Sequence, residues 1–145
     1  MLSEFKATRR VEFADTDMAG LMHFSNYFRF METAEHAFYR ELGFSVVLRE
    51  RQPPLGFPRV HASCDFTEPL RFEDLVEIRM RVTTKKEKSL TYSFQFLNLS
   101  ANPVVEVARG KVTVVCVSHA PGGKMAAVAI PKDIADKIVV APEPS

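Results

Sequence analysis

Two carboxylates stand close together near the start of the chain, in the stretch Asp15-Thr16-Asp17-Met18-Ala19-Gly20. A strand-like segment, Phe5 to Phe13, precedes this stretch, and a strongly periodic segment, Tyr27 to Leu42, follows it. The stretch is therefore a short turn from a strand into a helix. The free N–H groups of a helix start can hold an oxygen that becomes negative during a reaction, while a carboxylate activates water or attacks a carbonyl. This combination predicts acyl chemistry at the turn.

The periodic segment is expected to form the one long helix. Apolar residues recur in it at steps of three or four, and Gly43 follows where a helix commonly ends on a left-handed residue. The recurring residues are Tyr27, Met31, Ala34, Phe38 and Leu42. Ser25 or Asn26 is the expected N-cap, because such side chains accept hydrogen bonds from the first N–H groups of a helix.

Alternation of apolar and polar residues predicts the strands. The first strand is expected to turn Phe5, Ala7, Val11 and Phe13 to one face. The alternation returns around Val60 to Phe66, Val76 to Val82, Leu90 to Phe96 and Val104 to Val117. Short polar links, Thr83 to Ser89 and Asn98 to Pro103, predict hairpins, and Gly110 predicts a bulge or a close backbone approach. A long helix with at least five antiparallel strands predicts an α+β domain whose curved sheet wraps around the helix.

Length and composition indicate one ordinary domain. The 145 residues are 46% hydrophobic, and we expect a single domain at 1–140 followed by a short mobile tail at 141–145. The net charge of +1, from 19 basic and 18 acidic residues, argues against a nucleic-acid partner. The sequence has neither a membrane-length apolar run nor a signal-peptide pattern, which predicts a cytoplasmic protein without a membrane partner. Cys64 and Cys116 lack metal or disulfide spacing and are expected to be structural thiols.

The turn and the helix start resemble the 4-hydroxybenzoyl-CoA thioesterase type of hotdog-fold acyl-CoA hydrolases. The N-terminal pattern of that family is D-x-D-x-x-G, a short apolar step, then N-Y and a helix. A second match follows in the right order, Pro58 to Phe66 with Pro69-Leu70 and Asp74. The resemblance implies a hotdog fold and a homodimer whose two sheets join side by side, with dimers pairing further into a homotetramer. It places the catalytic carboxylate on Asp17 and an oxyanion-holding N–H at or next to Phe24.

Hydrolysis of a thioester needs a nucleophile or base on one side of the carbonyl and hydrogen-bond donors on its oxygen, and neither metal nor cofactor. Asp17 supplies the first component, either by attacking to give a mixed anhydride or by deprotonating a water, and both routes stay open. His23 is the second candidate, because imidazole transfers protons near neutral pH. Asp15 is interpreted as a turn residue. Without the family context, the same interpretation would apply to Asp17.

Further residues are predicted to contact the acyl-CoA substrate. Gly20 lies in the turn itself, and Tyr27 and Phe57 belong with Phe24 and Phe28 to an aromatic set that could line an acyl pocket, although core packing explains these residues equally well. The phosphates of coenzyme A need positive charge, for which Arg59, Arg109 and Lys111 are the candidates, the last two on one face of a strand. Glu32, Glu35 and His36 lie together on the helix and are interpreted as a solvated face or a subunit contact, not a metal site.

Several functions remain open. The leading hypothesis is an acyl-CoA thioesterase for an aromatic or medium-length acyl group. The triplet Met22-His23-Phe24 resembles the subgroup that hydrolyses 1,4-dihydroxy-2-naphthoyl-CoA in quinone biosynthesis, which is the alternative substrate. A non-catalytic acyl-thioester binding module could use the same scaffold. A hotdog-type dehydratase or hydratase would need His23 and His61 and would leave the D-x-D-x-x-G turn without a role.

Overall fold

The computed structural model describes residues 1–119 and 122–142. Its main elements are five long strands and one long helix, joined by three very short strands, a 3₁₀ turn at Phe13–Asp15 and a short helix. The long strands are β1 (Glu4–Arg10), β3 (Arg59–Phe66), β4 (Leu75–Lys85), β5 (Ser89–Asn98) and β6 (Val105–Val115). The helices are α1 (Ser25–Glu41) and α2 (Lys132–Ala135), and the short strands are β2 (Leu55–Gly56), β7 (Val117–Ser118) and β8 (Ala126–Ala127).

The five long strands form one antiparallel sheet in the order β1-β4-β5-β6-β3. Consecutive strands β4, β5 and β6 are neighbours, so both predicted hairpins are confirmed. The short strands pair separately in the order β2-β7-β8. Helix α1 packs against the sheet, in contact with β1 and β4, which confirms the predicted α+β architecture of one long helix on an antiparallel sheet.

The core lies between α1 and the inner face of the sheet. Alternate residues of β4 and β5 are buried there as predicted, namely Val76, Ile78, Met80, Val82, Leu90, Tyr92, Phe94 and Phe96. Gly110 of β6 faces the helix, and a Cβ at this position would collide with the Met31 side chain and lie 3.2 Å from the Ser63 carbonyl oxygen. The predicted close backbone approach is therefore confirmed. Gly43, with a φ of +92°, ends the helix as predicted.

The first strand is shorter than predicted. Pairing of β1 with β4 ends at Arg10, and the following residues form the 3₁₀ turn because the Asp15 carboxylate accepts the Glu12 N–H at 2.8 Å. Val11 is buried, but Phe13 is 78% exposed. The prediction that Phe13 shares the buried face is therefore wrong, since the turn redirects its side chain.

Strand β3 is an edge of the sheet and is covered on neither face along most of its length. Val60 and Phe66 are exposed, and Cys64 is half-buried. The alternation in this segment therefore predicts the strand correctly, but it marks an apolar side that the single chain leaves open. Such an edge also presents backbone groups that can pair with another strand.

The end of the chain and the length of the helices complete the fold. Within the predicted tail, Ala141 is buried and donates its N–H to the Val82 carbonyl at 2.8 Å, while 143–145 lie outside the described residues. The prediction of a separate tail stays a prediction. No helix within the described ranges is long and apolar enough to cross a membrane.

Candidate active site

The loop that carries Asp17 is closed by backbone hydrogen bonds. The Asp17 N–H donates to the Leu21 carbonyl at 2.8 Å, and the Gly20 N–H donates to the Asp17 carbonyl at 3.0 Å. Gly20 has a φ of +80°, which glycine adopts without strain. Oδ1 of Asp17 accepts the N–H groups of Ala19 at 2.9 Å and Leu21 at 3.2 Å, whereas Oδ2 has no donor within the described residues. One oxygen of this exposed carboxylate fixes the loop, and the other faces solvent.

Asp15 is buried and holds the loop from inside. Its Oδ2 accepts the Glu12 N–H at 2.8 Å, and its Oδ1 lies 3.8 Å from Nη2 of Arg9. Its backbone carbonyl accepts two further hydrogen bonds, from the His23 N–H and from Nδ2 of Asn26, each at 2.8 Å. These contacts agree with the interpretation of Asp15 as a structural residue of the turn.

The N-cap residue of helix α1 provides no side-chain cap. The N-cap position is Phe24, which has helical dihedral angles and whose side chain makes no capping hydrogen bond. The prediction that Ser25 or Asn26 caps the helix is wrong, because the Asn26 side chain is used to bind the loop. The Phe24 N–H has no acceptor in the part of the chain that the structure describes. A free donor is therefore left at the positive end of the helix dipole, at the residue predicted for the oxyanion.

His23 lies at the same helix start, exposed to solvent. Its Nδ1 accepts the Ser25 N–H at 3.3 Å and lies 2.8 Å from the Ser25 hydroxyl. Its ring stacks on that of Phe24, with 4.7 Å between centroids. Because Nδ1 is the acceptor, a neutral ring carries its proton on Nε2. In this form His23 can donate a hydrogen bond from Nε2 beside the Phe24 N–H.

A cavity of about 110 Å³ lies between α1 and the sheet, close to the β3 edge. Its lining is Phe28, Met31, Glu32 and Glu35 from the helix, with Arg59, Ala62, Phe94 and Val112 from the strands. The four helical residues follow Phe24 by about one to three turns on the same side of α1, since a turn takes about 3.6 residues. An apolar cavity of about 150 Å³ holds a benzene ring. The cavity of the single chain is somewhat smaller than that.

One wall of this cavity is charged. The Glu35 side chain is only 2% exposed, and Arg59 donates to both of its oxygens, from Nη1 to Oε2 at 3.1 Å and from Nη2 to Oε1. His36 Nε2 lies 3.8 Å from Oε1. Burial raises the pKa of Glu35, and Arg59 offsets this only in part. The first alternative for Glu35, a solvated face, is therefore wrong, and the second, a subunit contact, stays a prediction. Glu35 lies four residues after Met31, on the apolar stripe of the helix.

Three other predicted contact residues have clear structural surroundings. Tyr27 is buried, with its ring centroid 4.7 Å from that of Phe66, and burial raises its pKa to about 12. Phe57 is buried against Tyr39, at 5.8 Å between centroids. Neither residue lines the cavity beside Glu35. Arg59 does line it, but its guanidinium is bound to Glu35.

Arg109 and Lys111 point away from the helix, on the outer face of the sheet. They lie opposite Gln95 and Ser93 of β5 and line a broad groove of about 800 Å³. Arg109 is paired with Glu106, with 3.1 Å from Nη2 to Oε2. Within one chain, the structure therefore does not bring these two residues to the helix side of the sheet. Their predicted binding of coenzyme A stays a prediction.

Comparison with known proteins gives one family. The model of the Thioesterase-like superfamily matches residues 11–138, which is most of the chain. The acyl-CoA thioester hydrolase YbgC of Escherichia coli is 30% identical over 132 residues, covering 90% of this chain and 92% of that protein.

Solved structures agree with this match. A gentisyl-coenzyme A thioesterase is 34% identical and has a TM-score of 0.74, over 89% of this chain and 98% of that one. The 4-hydroxybenzoyl CoA thioesterase of Pseudomonas sp. strain CBS-3 has a TM-score of 0.83 at 22% identity, over 94% and 99% of the two chains. The second likeness concerns the fold alone.

Proposed function

We propose that this chain, which belongs to the thioesterase-like superfamily, hydrolyses the thioester of an acyl-coenzyme A whose acyl group is about the size of a single ring. The resemblance predicted from the turn and the helix start is confirmed by the family match, and so is the hotdog fold. Two of these relatives are named for coenzyme A thioesters, the acyl-CoA thioester hydrolase YbgC and the gentisyl-coenzyme A thioesterase. The chain is accordingly a thioester hydrolase, and its acyl group and catalytic residues are the proposal.

One observation carries the proposal: Asp17 presents an oxygen without a donor, on a loop tied to a helix start where the Phe24 N–H has no acceptor within the described residues. In the reaction, Oδ2 of Asp17 takes a proton from a water that attacks the acyl carbon, or attacks that carbon itself to give an anhydride that water then cleaves. The Phe24 N–H donates to the oxyanion in either route. His23 can donate a hydrogen bond from its Nε2–H to the leaving thiolate, and the proton that completes coenzyme A comes from the attacking water. The products are the free acid and coenzyme A.

The cavity supports the choice of acyl group. A carbonyl held at the Phe24 N–H would direct the acyl group along the side of α1 that carries Phe28 and Met31. The volume of about 110 Å³ suits one ring or a short chain better than the two fused rings of a naphthoyl group. The Glu35–Arg59 pair gives the wall hydrogen-bonding groups, which favours a ring with a polar substituent over a plain one.

A panel of thioesters tests this function: benzoyl-, 4-hydroxybenzoyl-, gentisyl-, octanoyl- and 1,4-dihydroxy-2-naphthoyl-CoA, with detection of the free thiol. We expect the hydroxylated single-ring substrates to be cleaved fastest, and Asp17→Asn to lower kcat by about 10²- to 10⁴-fold. The matched control is Asp136→Asn, an exposed carboxylate just after α2 that should leave the rate unchanged. Full activity of Asp17→Asn contradicts the mechanism. Binding of every thioester without cleavage would instead favour the non-catalytic binding module.

We also propose that two chains join through β3. The exposed apolar residues of this edge, Val60 and Phe66, and its unpaired backbone groups support a sheet that continues into a second copy. Further pairing into a tetramer would follow the family pattern. Light scattering on a size-exclusion column tests this: Val60→Asp should yield monomers, with Val104→Asp, an exposed valine away from β3, as the control. A monomeric parent chain contradicts the proposal.

A further inference from the structure

Asn26 uses its side chain in an unusual way for a residue at this position. Asn in the first turn of a helix often serves as a cap, yet the N-cap residue of α1 provides no side-chain cap. Instead, Nδ2 of Asn26 donates at 2.8 Å to the backbone carbonyl of Asp15, eleven residues earlier. The Asn26 side chain thus ties the first turn of α1 to the loop that carries Asp17.

The acceptor of this bond also holds the residue before Phe24. The Asp15 carbonyl accepts the His23 N–H at 2.8 Å, so both of its lone pairs are used. His23 and Asn26 flank Phe24, and the Asn26 N–H closes the segment by donating to the His23 carbonyl at 2.9 Å. Phe24 is thus held from both sides, while its own N–H has no acceptor within the described residues.

Asp15, which anchors this arrangement, is itself held by contacts with the loop and with Arg9. The Asp15 carboxylate binds the Glu12 N–H and faces Arg9, whose Nη1 donates to the Thr33 hydroxyl at 3.0 Å. The Arg9 guanidinium also lies over the Phe30 ring, 4.3 Å from its centroid. Strand β1, helix α1 and the loop therefore meet at Asp15, two residues before Asp17.

We propose that Asn26 is a positioning residue: through the Asp15 carbonyl, its side chain holds the Phe24 N–H in register with the Asp17 carboxylate. This inference rests on the function proposed above. The side chain contacts neither substrate nor the reacting atoms. It acts on the distance and angle between the group that attacks and the group that holds the oxyanion. A misplacement of about 1 Å between such groups can lower a rate by about 10²-fold.

Two variants remove the bond in different ways. Asn26→Asp keeps the shape but replaces the donor by a carboxylate facing a carbonyl oxygen, and Asn26→Ala removes the group. We expect both to lower kcat by about 10- to 100-fold and to change KM by less than about threefold. The control is Arg29→Ala, an exposed residue in the same turn, which should keep both parameters. Unchanged kcat in both Asn26 variants, or a changed KM with unchanged kcat, overturns the inference.

A measurement without turnover separates this inference from the proposed function. In protein carrying ¹⁵N-labelled phenylalanine, the amide resonance of Phe24 should move in Asn26→Asp and stay in place in Arg29→Ala. A Phe24 resonance that does not respond to Asn26→Asp overturns the positioning role even if the parent hydrolyses acyl-CoA. If instead Phe24 responds but no thioester is cleaved by the parent, the hydrolase proposal is the one that fails.

Discussion

Asp15 and Asp17 are separated by one residue, yet they have opposite surroundings. The Asp15 carboxylate is buried against Arg9 and the Glu12 N–H, whereas the Asp17 carboxylate is exposed and keeps one oxygen without a donor among the described residues. The extended turn between them directs the two side chains differently. Asp15 is thus a structural residue of the loop, and Asp17 is the residue proposed for catalysis.

The different surroundings of the two residues predict unequal effects of their substitution on stability. Asp15→Asn should lower the free energy of unfolding by about 1 to 3 kcal/mol, because it weakens a buried charge-assisted contact with Arg9. Asp17→Asn should change it by less than about 0.5 kcal/mol, since the residue is exposed and an amide oxygen can still accept the loop N–H groups. Urea unfolding at pH 7 measures both. Equal losses in the two variants would contradict the assignment of separate roles.

The pair Glu35–Arg59 predicts how stability depends on pH. Burial raises the pKa of Glu35 above its usual 4.5, so the folded chain binds this proton more tightly than the unfolded chain does. The contribution of Glu35 to stability is therefore complete below about pH 4.5 and is lost as the pH rises through the raised value. Urea unfolding between pH 4 and 8 should show this decline in the parent and a smaller one in Glu35→Gln.

Replacement of Arg59, the ion-pair partner of Glu35, tests the same pair more sharply. Arg59→Gln leaves the buried Glu35 carboxylate without its counterion, so its pKa should rise further. Stability should then fall by about 2 to 3 kcal/mol at pH 8, less than for a fully buried pair because Arg59 is 33% exposed, and much less at pH 4.5. The double variant with Glu35→Gln should recover most of the loss. Parallel pH curves for parent and Arg59→Gln would refute the argument.

The sequence predicted those parts of the fold and site that depend on neighbours in the chain. The periodicity of α1 and the alternation in β4 and β5 are local, and they correctly marked the buried residues. Asp17 and Phe24 were predicted through the family resemblance of the turn and the helix start, and their catalytic roles stay a prediction. Arg59 and Glu35 are 24 residues apart, and their contact depends on where β3 lies against the helix. The available indication was a carboxylate on the apolar stripe of α1, which the interpretation as a solvated face overlooked.

The role of Asn26 was hidden for a similar reason. Its residue type and position fit an N-cap, and only the location of the Asp15 carbonyl decides that its side chain binds the loop instead. Phe13 was misplaced because the alternation continues past the point where Asp15 starts a turn. In each case, a contact across the chain overrides a local preference.

The lack of a side chain at Gly110 allows the sheet to approach the helix closely. A methyl group at this position would collide with the Met31 side chain, so Gly110→Ala should force that side chain to move and lower the free energy of unfolding by about 1 to 3 kcal/mol. Because Met31 lines the cavity, the same variant should raise KM for single-ring thioesters. Gly56→Ala is the control, since its nearest contact, His119, would be at 3.4 Å. Equal effects of the two variants would contradict the predicted contact.

The small size of the cavity predicts that shortening a side chain in its wall changes the substrate preference. Val112 lines the cavity, whereas Val114, two residues later on the same face of β6, is buried elsewhere in the core. Both Val112→Ala and Val114→Ala should lose about 1 to 3 kcal/mol of stability. Only Val112→Ala should increase kcat/KM for the naphthoyl thioester relative to the benzoyl thioester, by about tenfold. The reason is that the substitution enlarges the cavity by one to two carbon atoms, and a difference of this size changes the discrimination between two substrates by about that factor.

Initial rates with the two thioesters, measured for parent and both valine variants, give this ratio directly. Loss of stability alone would lower both rates together and leave the ratio unchanged, as expected for Val114→Ala. A ratio that shifts equally in both variants, or in neither, would mean that the acyl group is bound outside the cavity beside Glu35. The acyl pocket would then have to be sought where the β3 edge meets a second chain.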